Sequence, residues 1–197
     1  MKKFNLSLLF GLIVAVLLSF ARFDTLCNDL RSNVLRLHII ANSDSADDQN
    51  LKLAVRDAIL ENFGDDFAEC DNLSQANEFA KNNADDILKI AKATINQYGY
   101  DYSVSANVGL SYFTNREYDD FTLPAGNYES LNIVIGEGKG KNWWCVCFPA
   151  VCIGASGDLS DSVCEDSANI AKSSEKYEIK FKTVEIYEEL RKIIFKK

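Results

Sequence analysis

The sequence predicts an α+β fold, a mostly antiparallel sheet with helices packed on one face, preceded by an N-terminal signal or anchor segment. Residues 102–112 alternate strictly between larger apolar or aromatic side chains and small or polar ones, while residues 45–62 repeat apolar side chains at helical spacing. Strict alternation indicates a strand with one face in water, which is typical of antiparallel sheets. A helix with one apolar stripe covers the other face of such a sheet.

Composition places the chain among globular proteins, with 197 residues of which 47% are hydrophobic and 25% are charged. We expect a signal peptide or anchor over residues 1–21 and a main α+β domain over residues 22–153. Residues 154–175 are rich in Ser, Ala, Gly, Asp and Glu without periodicity, which predicts a flexible linker or excursion. Residues 176–197 are expected to add a strand and a helix that pack on the same domain.

The charge of the chain excludes one class of partner. The formal net charge is -8, and the basic residues are scattered among a larger number of carboxylates. Proteins that bind nucleic acid cluster Lys and Arg to neutralise phosphates. We therefore expect no nucleic-acid partner and no adsorption to an anionic lipid surface.

The N-terminus has the pattern of an export signal. Lys2 and Lys3 precede an uncharged, mostly apolar run from Phe4 to Ala21, which ends in small residues suited to signal-peptidase cleavage. Cleavage there would release a chain that starts at Arg22. The alternative is a retained anchor, for which the run is near the lower limit of length. Both routes place the rest of the chain outside the cytoplasm.

The first half of the exported chain predicts one strand and two helices. Leu35–Ala41 alternates as a strand, and Ser45 with Asp48 resembles a capping box that starts a helix. Gly64 is expected to end this helix. The second helix is expected to start at a Ser74 cap and to stop before Gly99.

The second half predicts strands and a final helix. The strand of residues 102–112 is expected to direct its even-numbered side chains inward. Leu131–Ile135 and Trp143–Phe148 are predicted to pair as a hairpin with a long loop. Tyr177–Phe181 alternates as a strand, and residues 184–194 then have a helical apolar face.

The loop of Gly136 to Gly140 suggests a phosphate cradle, but its context argues against one. A nucleotide-binding glycine loop opens a helix whose N-terminus meets the phosphate. Here Trp143 and the residues after it continue as a strand. We expect no nucleotide and no other cofactor.

His38 is the only histidine, which excludes a metal site built on several imidazoles. An extracytoplasmic hydrolase that uses His38 with Ser43, Asp44 or a cysteine stays open as an alternative. The sequence contains no Gly-x-Ser-x-Gly elbow, and a strand histidine beside Arg36 is more often structural. We therefore expect neither catalytic residues nor a metal, and Asp44 with its neighbours reads as the acidic start of a helix.

The six cysteines do not have zinc-site spacing, because Cys145 and Cys147 are two apart and no second pair mirrors them. Two strand residues at this spacing share a face, which fits core packing or thiol oxidation. An exported chain permits disulfides. Cys145 and Cys152 could pair if the chain reverses between them, but other pairings stay open.

Three stretches together resemble the stage II sporulation protein R family of endospore-forming bacteria. They are RLHIIANSDS from Arg36 with the helix start after it, PAGNYESL from Pro124, and IGEGKGKNWWCV from Ile135. The resemblance extends from residue 34 to about residue 153. The chain departs from the family pattern at Cys147 and at Ala150–Val151, which affects expectations about local packing and thiol pairing.

The resemblance implies that the chain is an intercompartmental signal of sporulation and not an enzyme. Members are made in the forespore and exported into the space between the forespore and mother-cell membranes. There they trigger a membrane-embedded aspartic protease of the mother cell, which processes the inactive precursor of a sigma factor. Beyond the hydrolase, the remaining alternative is a cell-wall-binding module, for which Trp143 and Trp144 offer the one aromatic platform.

Several polar and aromatic residues are candidates for contact with such a protease. Loops on a rigid scaffold often carry function, and Trp is enriched at binding hot spots. Strand geometry directs Trp143 and Trp144 to opposite faces, and Lys139 and Lys141 could steer approach to an acidic patch. The predicted contact residues are Arg36, His38, Asp44, Glu137, Lys139, Lys141, Asn142, Trp143 and Trp144.

Overall fold

The structure, a computed structural model, describes residues 2–118, 120–150 and 158–194. Helices and strands are mixed along the chain, which confirms the α+β class. The elements in order are α1 (Lys2–Ser32), β1 (Leu35–Ile40), α2 (Ala46–Ala68), α3 (Leu73–Asn82), α4 (Ala84–Gln97), β2 (Val104–Phe113), β3 (Arg116–Glu117), β4 (Thr122–Leu123), β5 (Gly126–Ile135), β6 (Asn142–Phe148), a 3-10 turn (Leu159–Asp161), α5 (Glu165–Lys172) and α6 (Ser174–Ile194).

The chain divides into two compact units. The helix unit combines Met1–Arg31, Phe113–Gly126 and Cys164–Lys197, and the sheet unit combines Ser32–Tyr112 with Asn127–Val163. The helix unit therefore contains most of α1 with α5, α6 and the short β3–β4 pair. The sheet unit contains the four-stranded sheet and helices α2, α3 and α4.

The sheet has the strand order β2-β5-β1-β6. β1 pairs in parallel with β5, where Leu37 lies opposite Leu131, and antiparallel with β6, where Leu37 lies opposite Cys145. The predicted hairpin of β5 and β6 is therefore wrong, because β1 lies between these strands. A connection across one intervening strand spans two strand spacings, about 9 to 10 Å, which explains why the loop between them is long.

The apolar core of the sheet unit lies between one face of the sheet and helices α2, α3 and α4. Alternate residues of β1 enter it, as the period of two predicts. Every second residue of β5 does the same. The buried cluster contains Leu35, Leu37, Ile39, Leu51, Val55, Ile59, Phe63, Phe67, Ala76, Ala80, Ile87, Ala91, Ile95, Leu131, Ile133, Ile135, Cys145, Cys147 and Phe148.

Helix α2 starts as predicted, since the Ser45 hydroxyl accepts a hydrogen bond from the Asp48 backbone N–H at 3.2 Å. The predicted end at Gly64 is wrong, and the helix continues to Ala68. Phe63 and Phe67 are both buried at the inner face. Burial of these two rings outweighs the cost of about 1 kcal/mol for a glycine inside a helix.

The predicted second helix is two helices. Asn72, and not Ser74, is the N-cap of α3, because its side chain accepts from the Gln75 N–H at 3.1 Å. The chain breaks at Asn83, whose side-chain amide donates to the Phe79 carbonyl at 2.9 Å. Asparagine competes with helical hydrogen bonding in this way, and α4 starts immediately afterwards.

Strand β2 follows the predicted alternation only in part. Tyr102, Val104, Ala106 and Val108 pack against the core cluster, but the side chain of Leu110 is 71% exposed. The expected inward position of Leu110 is therefore wrong. Contact of this outer strand with the core cluster of the sheet unit ends at Val108.

The C-terminal region is helical, so the strand predicted for Tyr177–Phe181 is wrong. These residues belong to α6, where Phe181 and Val184 are buried and Phe23 of α1 contacts the rings of Tyr177 and Phe181. In so short a segment, the apolar side chains fit the three-to-four-residue spacing of a helix as well as the two-residue spacing of a strand. The predicted linker region contains the 3-10 turn and α5, while residues 154–157 lie outside the described residues.

Helix α1 is continuous from Lys2 to Ser32 and passes through the predicted cleavage site. In the described part of the chain it is the one helix long and apolar enough to cross a membrane. Its large apolar side chains between Phe4 and Leu18 are exposed. Signal peptides and membrane anchors both have this character, so the helix is consistent with export.

Candidate partner-binding surface

A buried carboxylate organises the turn that follows β1. Asp48 Oδ2 accepts hydrogen bonds from Asn42 Nδ2 at 2.9 Å and from Ser43 Oγ at 2.5 Å. Asp48 itself is 4% exposed and lies in the first turn of α2, where the helix dipole favours a negative charge. The turn of Asn42 to Ser45 is therefore held to the start of α2.

The hydrogen bonds also determine the pKa of Asp48. Burial alone would raise the pKa, but donors on Ser43, Asn42, Tyr102 and Ser45 outweigh burial and hold the pKa below its usual range. The carboxylate is therefore ionised at neutral pH. A charged acceptor with several donors stabilises the turn more than a neutral group would.

The loop of Gly136 to Lys141, here called the clamped loop, lies on this turn. Glu137 N donates to Asn42 Oδ1 at 3.0 Å, and Lys139 N donates to the Asn42 carbonyl at 3.1 Å. Farther along, Lys141 N donates to Asp44 Oδ1 at 2.7 Å. Three backbone N–H groups of the loop are thus bound by two residues of the turn, and the clamped loop is held at both ends.

Glycine is required in the clamped loop for close approach. Gly136 and Gly138 have φ values of 58° and 60°, which L side chains rarely adopt. A Cβ atom on Gly140 would collide with the backbone carbonyl of Ser43. The glycine-rich spacing that suggested a phosphate cradle instead lets two backbone segments touch.

Lys52 of α2 binds the last residue of the clamped loop. Its ammonium donates to the Lys141 carbonyl at 3.1 Å and to Gln49 Oε1 at 2.7 Å. The residue is 4% exposed, and burial lowers the pKa of Lys52 from its usual value. This lysine is structural, whereas the lysines of the clamped loop project outward.

Charged side chains of the clamped loop are exposed and partly balanced. Lys139 Nζ lies 2.6 Å from Glu137 Oε2, and both side chains are more than two-thirds exposed. The hydrogen bond from Lys139 lowers the pKa of Glu137 and raises that of Lys139. The local positive charge expected from Lys139 and Lys141 is therefore reduced by one neighbouring carboxylate.

Arg36 and His38 lie on the sheet face away from the helices. His38 Nδ1 is 3.0 Å from Asn132 Oδ1, and its ring stacks on Trp144 with centroids 6.0 Å apart. Arg36 is fully buried, with its guanidinium carbon 4.9 Å from the centroid of the Tyr128 ring. Arg36 is therefore part of the interior and does not belong to the contact surface, contrary to the prediction.

The two tryptophans occupy opposite faces of β6, as strand geometry predicts. Trp143 packs against the core cluster, with the guanidinium of Arg56 in α2 lying 4.5 Å from the ring centroid. Trp144 lies on the other face beside His38. Both rings are partly exposed. Trp144 shares its face of the sheet with His38, whereas Trp143 faces the core, so Trp144 is the better candidate for an aromatic contact.

The cysteines of β6 belong to the core. Cys145 and Cys147 are buried and share a face, as predicted from their spacing. Cys152 lies outside the described residues, so its pairing with Cys145 stays a prediction.

Residues suggested for a hydrolase have other partners in the described chain. Ser43 Oγ donates to Asp48, Asp44 accepts from the clamped loop, and His38 contacts Asn132. Across residues 2–118, 120–150 and 158–194, no group of three or more His, Cys, Asp or Glu side chains is arranged to hold a metal.

Sequence reasoning missed the role of Asp48 and Lys52. The sequence pattern places Asp48 in a capping box but does not show that its carboxylate holds the turn, and no pattern indicates the role of Lys52. One usable signal was the spacing of glycines at 136, 138 and 140, which indicates close backbone contact. The partner of that contact depends on β1 lying between β5 and β6, which the sequence did not reveal.

Comparison with known proteins places these features in a family. The family model for stage II sporulation protein R matches residues 31–157. Stage II sporulation protein R of Bacillus subtilis (strain 168) is 36% identical over 118 residues, which cover 60% of this chain and 53% of that protein. The chain thus spans about half the length of this curated relative, and no solved structure matches it. Since the matched region contains β1, the turn after it, the clamped loop and both tryptophans, the resemblance is confirmed, and the chain belongs to the stage II sporulation protein R family.

Proposed function

We propose that this chain is an exported signal that acts between two compartments during sporulation and switches on a membrane-embedded aspartic protease, which processes the inactive precursor of a sigma factor. Family membership supports a signalling role in sporulation. The observation that carries the proposal is that the family match includes the whole clamped loop and the turn beneath it. The exposed apolar helix α1 supports export.

The mechanism we propose is activation by binding. A ligand shifts an inactive protease toward its active state only by binding the active state more tightly. A loop held by backbone hydrogen bonds loses little conformational freedom on binding, so more of its contact energy is available for that difference. The clamped loop supplies the rigid part of the surface, and Trp144 beside it supplies an aromatic anchor.

The test compares two double variants with equal changes in charge. In Lys139→Ala with Lys141→Ala, the backbone contacts of the clamped loop are kept and its exposed ammonium groups are lost. The control is Lys81→Ala with Lys89→Ala, which removes two exposed lysines from α3 and α4. Each full-length variant is added at limiting concentration to membranes that carry the protease and its precursor, and cleavage is followed with time.

We expect the loop variant to need roughly ten times more protein for the same cleavage rate, a change of about 1.4 kcal/mol in binding. The control should match the wild type, and both variants should unfold at the same temperature. Equal activity of the two variants would show that the clamped loop is not the contact surface. The residues around His38 and Asp44 would then be the next candidates for the contact surface.

A further inference from the structure

The outer strand β2 carries none of the charged residues or prolines that usually protect a sheet edge. It is the first strand in the order β2-β5-β1-β6, and it is ten residues long. Residues 102–115 contain no charged side chain and no proline, although one residue in four of the whole chain is charged. Natural edge strands usually carry a lysine, a proline or a bulge that prevents pairing with another strand. An unprotected edge of this length is suited to pairing.

The contacts of β2 show which backbone groups point to the open side. Gly136 N donates to the Ser103 carbonyl at 2.7 Å, and Ser130 Oγ donates to the Gly109 carbonyl at 2.9 Å. Odd-numbered residues of β2 therefore direct their backbone groups to β5. In an antiparallel ladder the next residue directs both its N–H and its C=O the other way. The residues whose backbone groups point to the open edge, here called the edge-facing set, are Val104, Ala106, Val108 and Leu110.

The side chains of the edge-facing set, which all lie on one face of the sheet, would complement those of a second copy. If two β2 strands pair antiparallel about Val108, Ala106 lies opposite Leu110 of the second copy. The same register brings Val104 opposite Tyr112, so every pair on this face is apolar or aromatic. Such pairs stabilise a sheet by about 0.2 to 1 kcal/mol each. Pairing would also cover Leu110, whose side chain is 71% exposed.

We propose that β2 binds β2 of a second copy of this chain and joins the two four-stranded sheets across a two-fold axis. Charge favours a second copy at this edge. The net charge of -8 makes two copies repel each other over most approaches, whereas residues 102–115 carry no charge and Lys92, at the start of this edge, is paired with Asp101. A two-fold axis requires a self-complementary patch, and the register about Val108 provides one. The proposal does not depend on the proposed function.

The first experiment measures the mass of the full-length protein in detergent by size-exclusion chromatography with light scattering, after subtraction of the detergent. The wild type should have twice the chain mass of 22.0 kDa. Leu110→Lys, which changes an exposed side chain, should have the mass of one chain. The matched control is Leu190→Lys, since Leu190 is an exposed leucine of α6 in the helix unit, and this variant should stay a dimer.

The second experiment is amide hydrogen exchange on the same samples. The amides of Ala106, Val108 and Leu110 should exchange slowly in the wild type and at least about ten times faster in Leu110→Lys, because the pairing hydrogen bonds are lost. A wild type with the mass of one chain overturns the proposal, whether or not these amides are protected. A dimer in which they exchange equally fast in both proteins, or one that Leu190→Lys disrupts instead, also overturns it.

Discussion

At the scale of single residues, Asp48 links the three segments that form the surface. Its carboxylate holds Asn42 and Ser43 at 2.9 and 2.5 Å, and Asn42 in turn holds the clamped loop. A buried acceptor left without donors, or donors left without an acceptor, costs about 1 to 3 kcal/mol. The order of the clamped loop therefore depends on a side chain that no partner needs to touch.

Replacing Asp48 with Asn should lower the free energy of unfolding at pH 7 by about 1 to 3 kcal/mol. The amide keeps the size of the side chain, but it loses the charge and turns one acceptor into a donor. Urea denaturation measures the difference. The control is Asp47→Asn, which removes an exposed carboxylate from the same helical turn. If both variants unfold like the wild type, the Asp48 contacts do not stabilise the fold.

The same contacts predict a pH dependence. The pKa of Asp48 is lower in the folded chain than the usual value of 3.8, because its hydrogen bonds outweigh burial. The stabilisation is therefore complete above that value and is lost as the pH falls through the lower folded pKa. The stability difference between wild type and Asp48→Asn should shrink in this acid range. A difference that stays constant would contradict this assignment.

The two tryptophans should separate stability from signalling. Trp143→Ala should lower the free energy of unfolding by about 2 to 3 kcal/mol, somewhat less than the 3 to 5 kcal/mol of a fully buried ring. Trp144→Ala should cost about 1 kcal/mol, since the partly exposed ring loses its stack on His38. Activation of the protease should fall only in Trp144→Ala when both variants are compared at a temperature where each is folded. The reverse pattern would move the contact surface to the helix side.

At the scale of elements, the clamped loop and the turn after β1 form one structural unit. A Cβ atom on Gly140 would lie only 2.6 Å from the carbonyl carbon of Ser43. Gly140→Ala should push the two segments apart, lower the midpoint of thermal unfolding by several degrees and reduce activation. Strain of about 1 to 3 kcal/mol is expected where backbone atoms must shift.

Gly109→Ala is the matched control, because a Cβ atom there meets no atom closer than 3.7 Å. It should leave both activation and thermal unfolding near the wild type. If Gly140→Ala behaves like this control, the two segments are not in close contact.

Elements that depend on local chemistry were predictable from the sequence. β1 and the Ser45 cap of α2 are local features, and both were found at the expected residues. The position of β1 between β5 and β6 depends on pairing between distant segments, so no local pattern revealed it. The five residues Tyr177–Phe181 fit the strand period as well as the helix period, so their sequence alone does not decide, and their packing against Phe23 accompanies the helix.

At the scale of the whole molecule, the candidate site was only partly predictable. Exposure of the clamped loop and the opposite faces of the tryptophans followed from glycine content and strand geometry. The burial of Arg36 did not, because an alternating strand does not tell which polar side chains another part of the chain covers. The apolar helix α1 could be predicted, since its apolar run is a compositional feature, and it is consistent with export.

The proposed function requires the protein to act from outside the cytoplasm, and α1 allows a direct test of this requirement. Leu12→Arg with Val16→Arg introduces two charges into the exposed apolar run, each costing about 2.5 to 3.5 kcal/mol at the centre of a membrane segment. The control, Ile179→Arg with Ile193→Arg, adds the same charge to exposed positions of α6.

The measurement is made in bacteria that produce the protease, the sigma-factor precursor and one form of the full chain, with precursor cleavage and the location of the chain read in parallel. We expect cleavage with the wild type and with the control, both of which should be exported. The α1 variant should accumulate in the cytoplasm without cleavage. Cleavage by a chain that stays in the cytoplasm would show that the protein does not act from outside it.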